Sequence, residues 1–549
     1  MTKSASPRHS LALMATLAVF GGTFVFIYVS SQPGDAPAEE DKTKDFVKSR
    51  NPEEWPLFGG TVSRNLVNIF DKNIPTDWDI TKGKAGNIKW SVDLGSKAYG
   101  GPVIAGGKLF MGTNNGQPRN PKIMGDKGVM MCFDVKTGNF LWQTVYDKLA
   151  AGRVKDWPEE GICSAPFVEG DKMYYVSNRC EVICANVNDG NAVWTLDMIG
   201  KLNVFPHNLA TCSPLIVGDT LFVITSNGVD LDHLNIPQPA APSFLALDKA
   251  NGKVKWSSNL PSIELINQAG VGIKNLVDAG KVLMHGQWSN PVYAEPNGKP
   301  MIIFPGGDGW IRAFNPAKGT LLWKFDCNPK SSFYVLGPRA TRNDFVSTPV
   351  VWEDKLYIGV GQDPEHQKGV GHLWCIDLVK ATDLGAKNKD NDVSPWPDPA
   401  KNPKFDPKDP MNKDSAFVWH FGGENPTKKP RPYFYGRSMS TCSVHDGLLF
   451  TCEYDGWVHC LDARTGEQHW EHDMQADCWS SPYFVDGKVY LGNENGQVLV
   501  FKHGKKKELL NTIETNASYV RATPVVVNGT MYVATENPCK LYAVTPGGK

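Results

Sequence analysis

One unit recurs along this chain, and its recurrence limits the fold more than any other feature. "MCFDVKTGNFLW" stands at 131–142, "ICANVNDGNAVW" at 183–194 and "LALDKANGKVKW" at 245–256. "IRAFNPAKGTLLW" follows at 311–323 and "HCLDARTGEQHW" at 459–470. The shared skeleton is a small residue, an apolar residue, Asp or Asn, a turn, and Gly-x-x-x-Trp. Upstream of each copy lies a short strand led by Ser-x-Pro or a variant, a Gly/Asp turn and a second apolar strand. Examples are "CSAPFVEGDKMYYVS" (163–177), "VSTPVVWEDKLYIGV" (346–360) and "RATPVVVNGTMYVAT" (521–535). Alternating apolar and polar runs broken by Asp-Gly, Asn-Gly and Gly-Asp are hairpin signals. Eight such units can be aligned on a Pro slot: Pro102, Pro166, Pro214, Pro291, Pro349, Cys442 (in place of Pro), Pro482 and Pro524.

Four strands per unit at spacings from 40 residues upward describe propeller blades. The excess length falls near 143–161, 229–242, 258–286 and 379–416, the last rich in Lys, Asp, Asn and Pro and read as a surface loop. The chain ends decide between a ring and an open stack. The last unit stops after its third strand, "LYAVT" (541–545), and the first fragment, "GNIKWSVDL" (86–94), supplies only a fourth strand. Together they make one blade. Closure removes the exposed sheet edges that an open stack must cap. The expected class is all-β: an eight-bladed propeller of four-stranded antiparallel blades over 51–549, closed by its N- and C-terminal strands. Trp90, Trp142, Trp194, Trp256, Trp323, Trp419 and Trp470 are expected to dock against neighbouring blades as flat spacers. Blade 7 has Leu509 and Leu510 at that place.

Before the repeats, Lys3, Arg8 and His9 precede an uncharged run, "LALMATLAVFGGTFVFIYVS" (11–30), and Asp35, Glu39, Glu40 and Asp41 follow it. Twenty such residues can cross a bilayer, and the charge bias places the body outside the cytoplasm. The expectation is a cytoplasmic stretch 1–10, one transmembrane signal anchor 11–30, and a tether 31–50. That gives a single-pass protein of the cytoplasmic membrane with its propeller on the periplasmic side. A cleaved signal peptide is the alternative. The formal net charge of -1 offers no basic field for nucleic acid.

Twelve cysteines in an exported chain suggest disulfides. Four of them, Cys132, Cys184, Cys375 and Cys460, occupy a slot that is Ala246, Ala313 or Ala543 in other blades. A slot taking Ala or Cys is a tight apolar site, so these four read as packing residues. No zinc-type Cys/His spacing appears, and His469 and His472 read as a surface pair, so no metal is expected.

The innermost strand of each blade lines the axis, so residues leading into it form rings. Three positions before the Pro slot stand Tyr99, Cys163, Thr211, Trp288, Val346, Met439, Trp479 and Arg521. Five before it stand Lys97, Gly161, Leu209, Gly286, Asp344, Arg437, Asp477 and Tyr519. With a strand period of two, both rings face one way. A polar and aromatic funnel built from Lys97, Trp288, Asp344, Arg437, Asp477, Trp479 and Arg521 is the candidate ligand or partner site. Arg437 and Trp479 are the favoured hot spots. The alternative is a narrow channel plugged by salt bridges. No catalytic residue is assigned.

The Ala-x-Asp-x-x-Thr-Gly-x-x-x-Trp unit resembles the docking motif of pyrroloquinoline-quinone (PQQ) repeat propellers, and "WPLFGGTVSRN" (55–65) resembles their usual lead-in. The resemblance covers about 52–549. It implies the fold, and it spans two kinds of function. One is the cofactor-free scaffold, as in BamB-like outer-membrane assembly proteins. The other is the PQQ-dependent alcohol or sugar dehydrogenase with Ca²⁺. Those dehydrogenases often stack PQQ under a disulfide between adjacent cysteines. This chain has no Cys-Cys pair, no dense Glu/Asn/Asp calcium set and no haem-attachment Cys-x-x-Cys-His. The expectation is therefore a scaffold with protein partners in the cell envelope and no cofactor, the dehydrogenase being the alternative. A module for small polysaccharide or peptide ligands is a third reading.

Overall fold

The computed structural model describes residues 46–260, 285–328, 343–362, 369–395 and 415–549; the run 11–30 lies outside them. Eight sheets are built on antiparallel strands, seven of them from four strands consecutive in the chain, here A to D from first to last. Blades 1 to 7 span 103–147, 167–197, 215–258, 292–326, 350–424, 443–473 and 483–514. Blade 8 takes strands A to C from Val525–Val527, Thr530–Thr535 and Lys540–Val544, and its strand D is Ile88–Asp93 from the other end of the chain. That antiparallel pairing, Trp90 opposite Ala543 and Asp93 opposite Lys540, closes the ring. Two sheets carry a fifth strand. Tyr433–Tyr435 extends blade 5, and Val67–Asn68 lies parallel to strand A of blade 7. Among the described residues no helix is long and apolar enough to cross a membrane.

The repeated motif works as a contact between blades. Asp134, Asn186, Asp248 and Asp462 each end a strand C and Asn315 directly follows one, and the backbone carbonyl of each accepts from the turn glycine at 2.8–2.9 Å. Those glycines, 138, 190, 252, 319 and 466, all have φ between +66° and +75°. The indole of the preceding blade lies on each of them. A Cβ at Gly138 would stand 2.7 Å from Trp90, and at Gly190, Gly252, Gly319 and Gly466 it would stand 2.6–2.7 Å from Trp142, Trp194, Trp256 and Trp419. So glycine is required twice over, for its backbone conformation and for the missing side chain. The indole N–H then bonds the next blade's turn: Trp142 to the Val187 carbonyl at 3.1 Å, Trp256 to Pro316 at 2.8 Å and Trp419 to Ala463 at 2.9 Å.

The small slot of strand C has its reason in the same contact. Cys132, Cys184, Ala246, Ala313, Cys375, Cys460 and Ala543 are the cross-strand partners of the seven tryptophans. A short side chain there leaves the indole room on the shared face. All twelve cysteines are thiols, and all but Cys163 are buried.

Blade 5 departs from the pattern. Its strand C runs into a helix, Leu378–Gly385, capped by the Asp377 carboxylate on the Lys380 N–H at 2.9 Å. Leu378, Ala381 and Gly385 are buried, and Gly385 packs on the Leu322–Trp323 backbone. The start of the expected 379–416 surface loop is thus a packed helix covering Trp323, because a cap and three small or apolar residues at helical spacing outweigh the polar composition. Residues 396–414 of that loop lie outside the described residues.

The segment before the ring proves to be a strap that touches every blade. Trp55 exchanges backbone hydrogen bonds with Ile104 of blade 1, and the Pro56 carbonyl accepts from Val168 of blade 2. Val62 and Ser63 accept from Tyr293 of blade 4 and Val351 of blade 5. The Asn65 side chain pairs with the Val444 backbone of blade 6, Leu66 accepts from Phe484 of blade 7, and Asn68 donates to Val526 of blade 8. Blade 3 is reached by Arg64, whose guanidinium donates to the carbonyls of Ser213, Pro214, Pro291 and Phe58 at 2.8–3.1 Å. Arg64 is fully buried, and burial pushes its pKa down to about 10. Residues 46–50 form a turn on this strap, with Phe46 edge-on to Tyr293 and Arg50 over the Trp55 ring.

Two glycines with the same backbone conformation separate the contact from the turn. Gly466 lies under Trp419, whereas Gly487 (φ +69°) has nothing within 4 Å of a would-be Cβ. Gly487→Ala should cost only the left-handed backbone, about 1 kcal/mol. Gly466→Ala should cost about 1–3 kcal/mol more through overpacking, read as the difference between the two variants in denaturant unfolding.

Candidate functional site

On the ring axis lies a cavity of about 440 Å³. All eight residues three positions before the Pro slot line it, joined by Ser213, Asn290, Thr348, Thr441, Ser481 and Thr523 from one position before the slot. Phe58 of the strap, with Trp157, Glu160, Asn208 and Leu209 from blade-to-blade links, completes the wall. Local chain direction explains the selection. Leading residues in extended conformation alternate, so one set points to the axis and the next packs sideways between blades. Ser164, Ser289 and Ser440, two before the slot, accordingly donate sideways to Cys212, Ser347 and Ser480 of the next blade.

Of the seven funnel residues read from the sequence, Trp288, Trp479 and Arg521 line the cavity, and Lys97, Asp344, Arg437 and Asp477 are not part of its wall. The ring five before the slot contributes Leu209 to the wall. Lys97 reaches Glu160 at 3.6 Å. Arg437 is buried with its guanidinium 4.4 Å from the Tyr454 ring centre, and Tyr454 meets Trp479 edge-on at 5.7 Å. Asp477 acts on Tyr454, which burial first and that carboxylate second hold above the usual phenol pKa. Asp344 is buried, with a carboxylate oxygen 3.4 Å from His285 Nδ1.

Charge on the wall is compensated. Arg521 donates to Glu494 at 2.6 Å and Glu536 at 2.8 Å and lies over Tyr519 and Tyr99, 4.1 and 5.2 Å from their ring centres. Burial works against its charge, but Tyr99, Glu536 and Glu494 overcome that and raise its pKa. Glu160 is pushed the other way: burial raises its carboxyl above the usual range, and Lys97 offsets this only in part. Among the described residues, the wall therefore holds one guanidinium already neutralised by two carboxylates, plus one carboxyl that burial disfavours as an anion. A flat quinone tricarboxylate calls for unpaired cations and oxygen ligands for Ca²⁺. The described wall does not fit it; aromatic faces from Tyr99, Trp157, Trp288 and Trp479 suit an uncharged or cationic group.

Behind Trp288, whose indole N–H donates to the His207 carbonyl at 3.2 Å, lies a cluster not foreseen from the sequence. His207, His233 and His285 are all buried, with ring centres 4.7–5.0 Å apart. One nitrogen from each lies within 4.8 Å of the others. The three come from the lead-in to blade 3, the B–C insertion of that blade and the lead-in to blade 4. No short-range spacing encodes such a set.

The family profile described as "Outer membrane protein assembly factor BamB", a PQQ-repeat profile, matches residues 79–269 and 412–548, more than half of the chain. The chain belongs to this family. Two curated relatives are similar over parts of it. BamB of Shewanella oneidensis is 19% identical over 289 residues, 50% of this chain and 61% of that protein. 1-Butanol dehydrogenase (cytochrome c) of Thauera butanivorans is 26% identical over 141 residues, 24% of this chain and 19% of that protein. The chain thus matches less than two thirds of the length of each. A europium-containing methanol dehydrogenase is similar in structure, with a TM-score of 0.56 at 14% identity over 89% of this chain and 91% of that one; this supports the fold alone.

Glu160 offers a pH test of the cavity wall. Its folded pKa is raised, so the folded state binds a proton more tightly than the unfolded chain, and stability falls as pH rises from the ordinary carboxyl range through the raised value. Glu160→Gln should be more stable than the parent at neutral pH, and the gap should close on acidification below the usual glutamate pKa. Thermal unfolding of both proteins across pH 4 to 7 (about the window set by a glutamate reference near 4.3) reads this directly.

Proposed function

We propose that this protein is a non-catalytic binding propeller of the cell envelope, a scaffold for protein partners, held at the cytoplasmic membrane by 11–30 with the ring on the far side. The observation that carries this reading is the compensated charge of the axial wall. Among the described residues its one arginine is committed to Glu494 and Glu536, which leaves the aromatic faces and a ring of hydroxyls to meet a ligand. An outer-membrane assembly role is consistent with the family description and with the BamB relative. The dehydrogenase relative and the shared fold support the alternative, but among the described residues the wall offers no cation without carboxylate partners for a quinone tricarboxylate. A partner surface is available on the outer rim. Phe140 and Leu141 of blade 1, Val193 of blade 2 and Val254 of blade 3 are exposed at the start of strand D in three consecutive blades. Apolar side chains repeated along one rim suit a protein interface.

Trp157, Trp288 and Trp479 line the cavity, so a quinone bound there would quench their emission. The full chain, titrated with PQQ and Ca²⁺, should show no saturable quenching in the micromolar range and no dye reduction with alcohols or sugars. Saturable quenching with turnover would overturn the scaffold reading and make the axial cavity an active site.

A further inference from the structure

We propose that His207, His233 and His285 form a binding site for a divalent transition metal of the zinc class, set in the wall between blades 3 and 4.

The argument rests on the geometry of the three imidazoles. His207 Nδ1 lies 2.9 Å from the Val229 carbonyl, which can only accept, so Nδ1 carries the proton and Nε2 the lone pair. The Asn208 side-chain nitrogen stands 3.3 Å from that Nε2, a longer contact than a strong hydrogen bond. His285 Nδ1 lies on the side of the Asp344 carboxylate, 3.4 Å away, which leaves Nε2 turned toward His233. His285 Nε2 in turn stands 3.4 Å from His233 Nδ1. That separation is at the long end for a hydrogen bond between ring nitrogens. It equals the edge of a tetrahedron whose centre is about 2.0–2.1 Å from each nitrogen, roughly 3.3–3.4 Å. One edge of the site is therefore already at bonding geometry, and the nitrogens of the whole set lie within 4.8 Å, a distance that small side-chain rotations close.

The surroundings fit a metal centre. A carboxylate behind one imidazole and a backbone carbonyl behind another are the outer-shell partners that orient metal-bound histidines. The backbones are brought together by glycine: a Cβ at Gly228 would stand 2.5 Å from the His285 carbonyl and 2.8 Å from the His207 side chain. Three nitrogen ligands without sulfur suit zinc, copper, nickel or iron rather than calcium or magnesium. They leave one of four positions for a small ligand, on a cluster whose neighbour Trp288 also lines the axial cavity. The site would also tie the 229–242 insertion, which carries His233, to the lead-in of blade 4.

The test uses the full chain, stripped with a chelator and reloaded with Zn²⁺ or Co²⁺. We expect one equivalent of zinc to survive dialysis by elemental analysis. Cobalt should give the visible d–d bands of a four-coordinate nitrogen site and quench the emission of Trp288, a loss absent in Trp288→Phe. His233→Ala, on an insertion outside the blade strands, should keep the far-UV spectrum of the parent and lose the bound equivalent. Asp344→Asn should keep the stoichiometry and weaken binding about 10–100-fold. Retention of less than a tenth of an equivalent (on the order of a trace contaminant, given the tight binding of structural zinc) would overturn the proposal. So would equal retention by the parent, His233→Ala and His285→Ala.

Discussion

The buried guanidinium of Arg64 is the interaction on which the ring most depends. Removing a guanidinium from water costs several kcal/mol before any bond is made. Here four carbonyls from the strap and from blades 3 and 4 receive it, and hydrogen bonds to a charged donor contribute about 1.5–3 kcal/mol each. The residue's own backbone is left-handed, φ +59°, and Gly59 packs directly on its Cα. Such a hub is favourable only when blades 3 and 4 and the strap are in place together. That makes it a cooperative lock and not a local staple.

Around that lock the ring is built from one contact used repeatedly. At Trp142, Trp194, Trp256 and Trp419 the indole lies on a glycine that could carry no Cβ, and its N–H caps the next blade's turn. The contact sets the spacing between blades, and the spacing brings eight strand-A lead-ins to the axis at a separation that leaves a cavity instead of a filled core. What lines the cavity then follows from strand alternation. Every third-before-slot residue reaches it, and the serines between turn sideways to bond the neighbouring blade. The chemistry of the site is thus a consequence of ring geometry acting on residues that differ from blade to blade. Arg521 fixed by two glutamates and Glu160 held against ionisation by burial make an interior that favours aromatic and uncharged contacts.

Much of this was legible in the chain itself because each part was encoded locally and repeatedly. The blades, their order, and the closure of Ile88–Asp93 onto Lys540–Val544 can be read from Gly-x-x-x-Trp and from the missing halves at the two ends. The ring of residues around the axis followed from counting back from one proline slot. Extending the count to five before the slot was less successful. A strand period of two holds only while the backbone stays extended, and the chain bends there to cross from one blade to the next. Lys97, Arg437 and Asp477 accordingly touch residues of or near the wall and do not line the cavity themselves. The strap was invisible for another reason: beside a few local turns, "WPLFGGTVSRN" bonds one blade after another at long range, and no periodicity records those contacts. The three histidines share that difficulty. The Leu378–Gly385 helix was obscured by polar composition, although Asp377 and the spacing of Leu378, Ala381 and Gly385 carried its signal.

The central claim is that strap and ring form one cooperative unit that fixes the wall of the axial cavity. Hydrogen exchange of Arg64→Gln, compared with the parent, tests it most directly. The account predicts that amides leading into strand A lose protection together in all eight blades, including Val168, Val444 and Val526, which Arg64 does not touch. Loss confined to the neighbourhood of Ser213, Pro214 and Pro291, with the other blades unchanged, would contradict it.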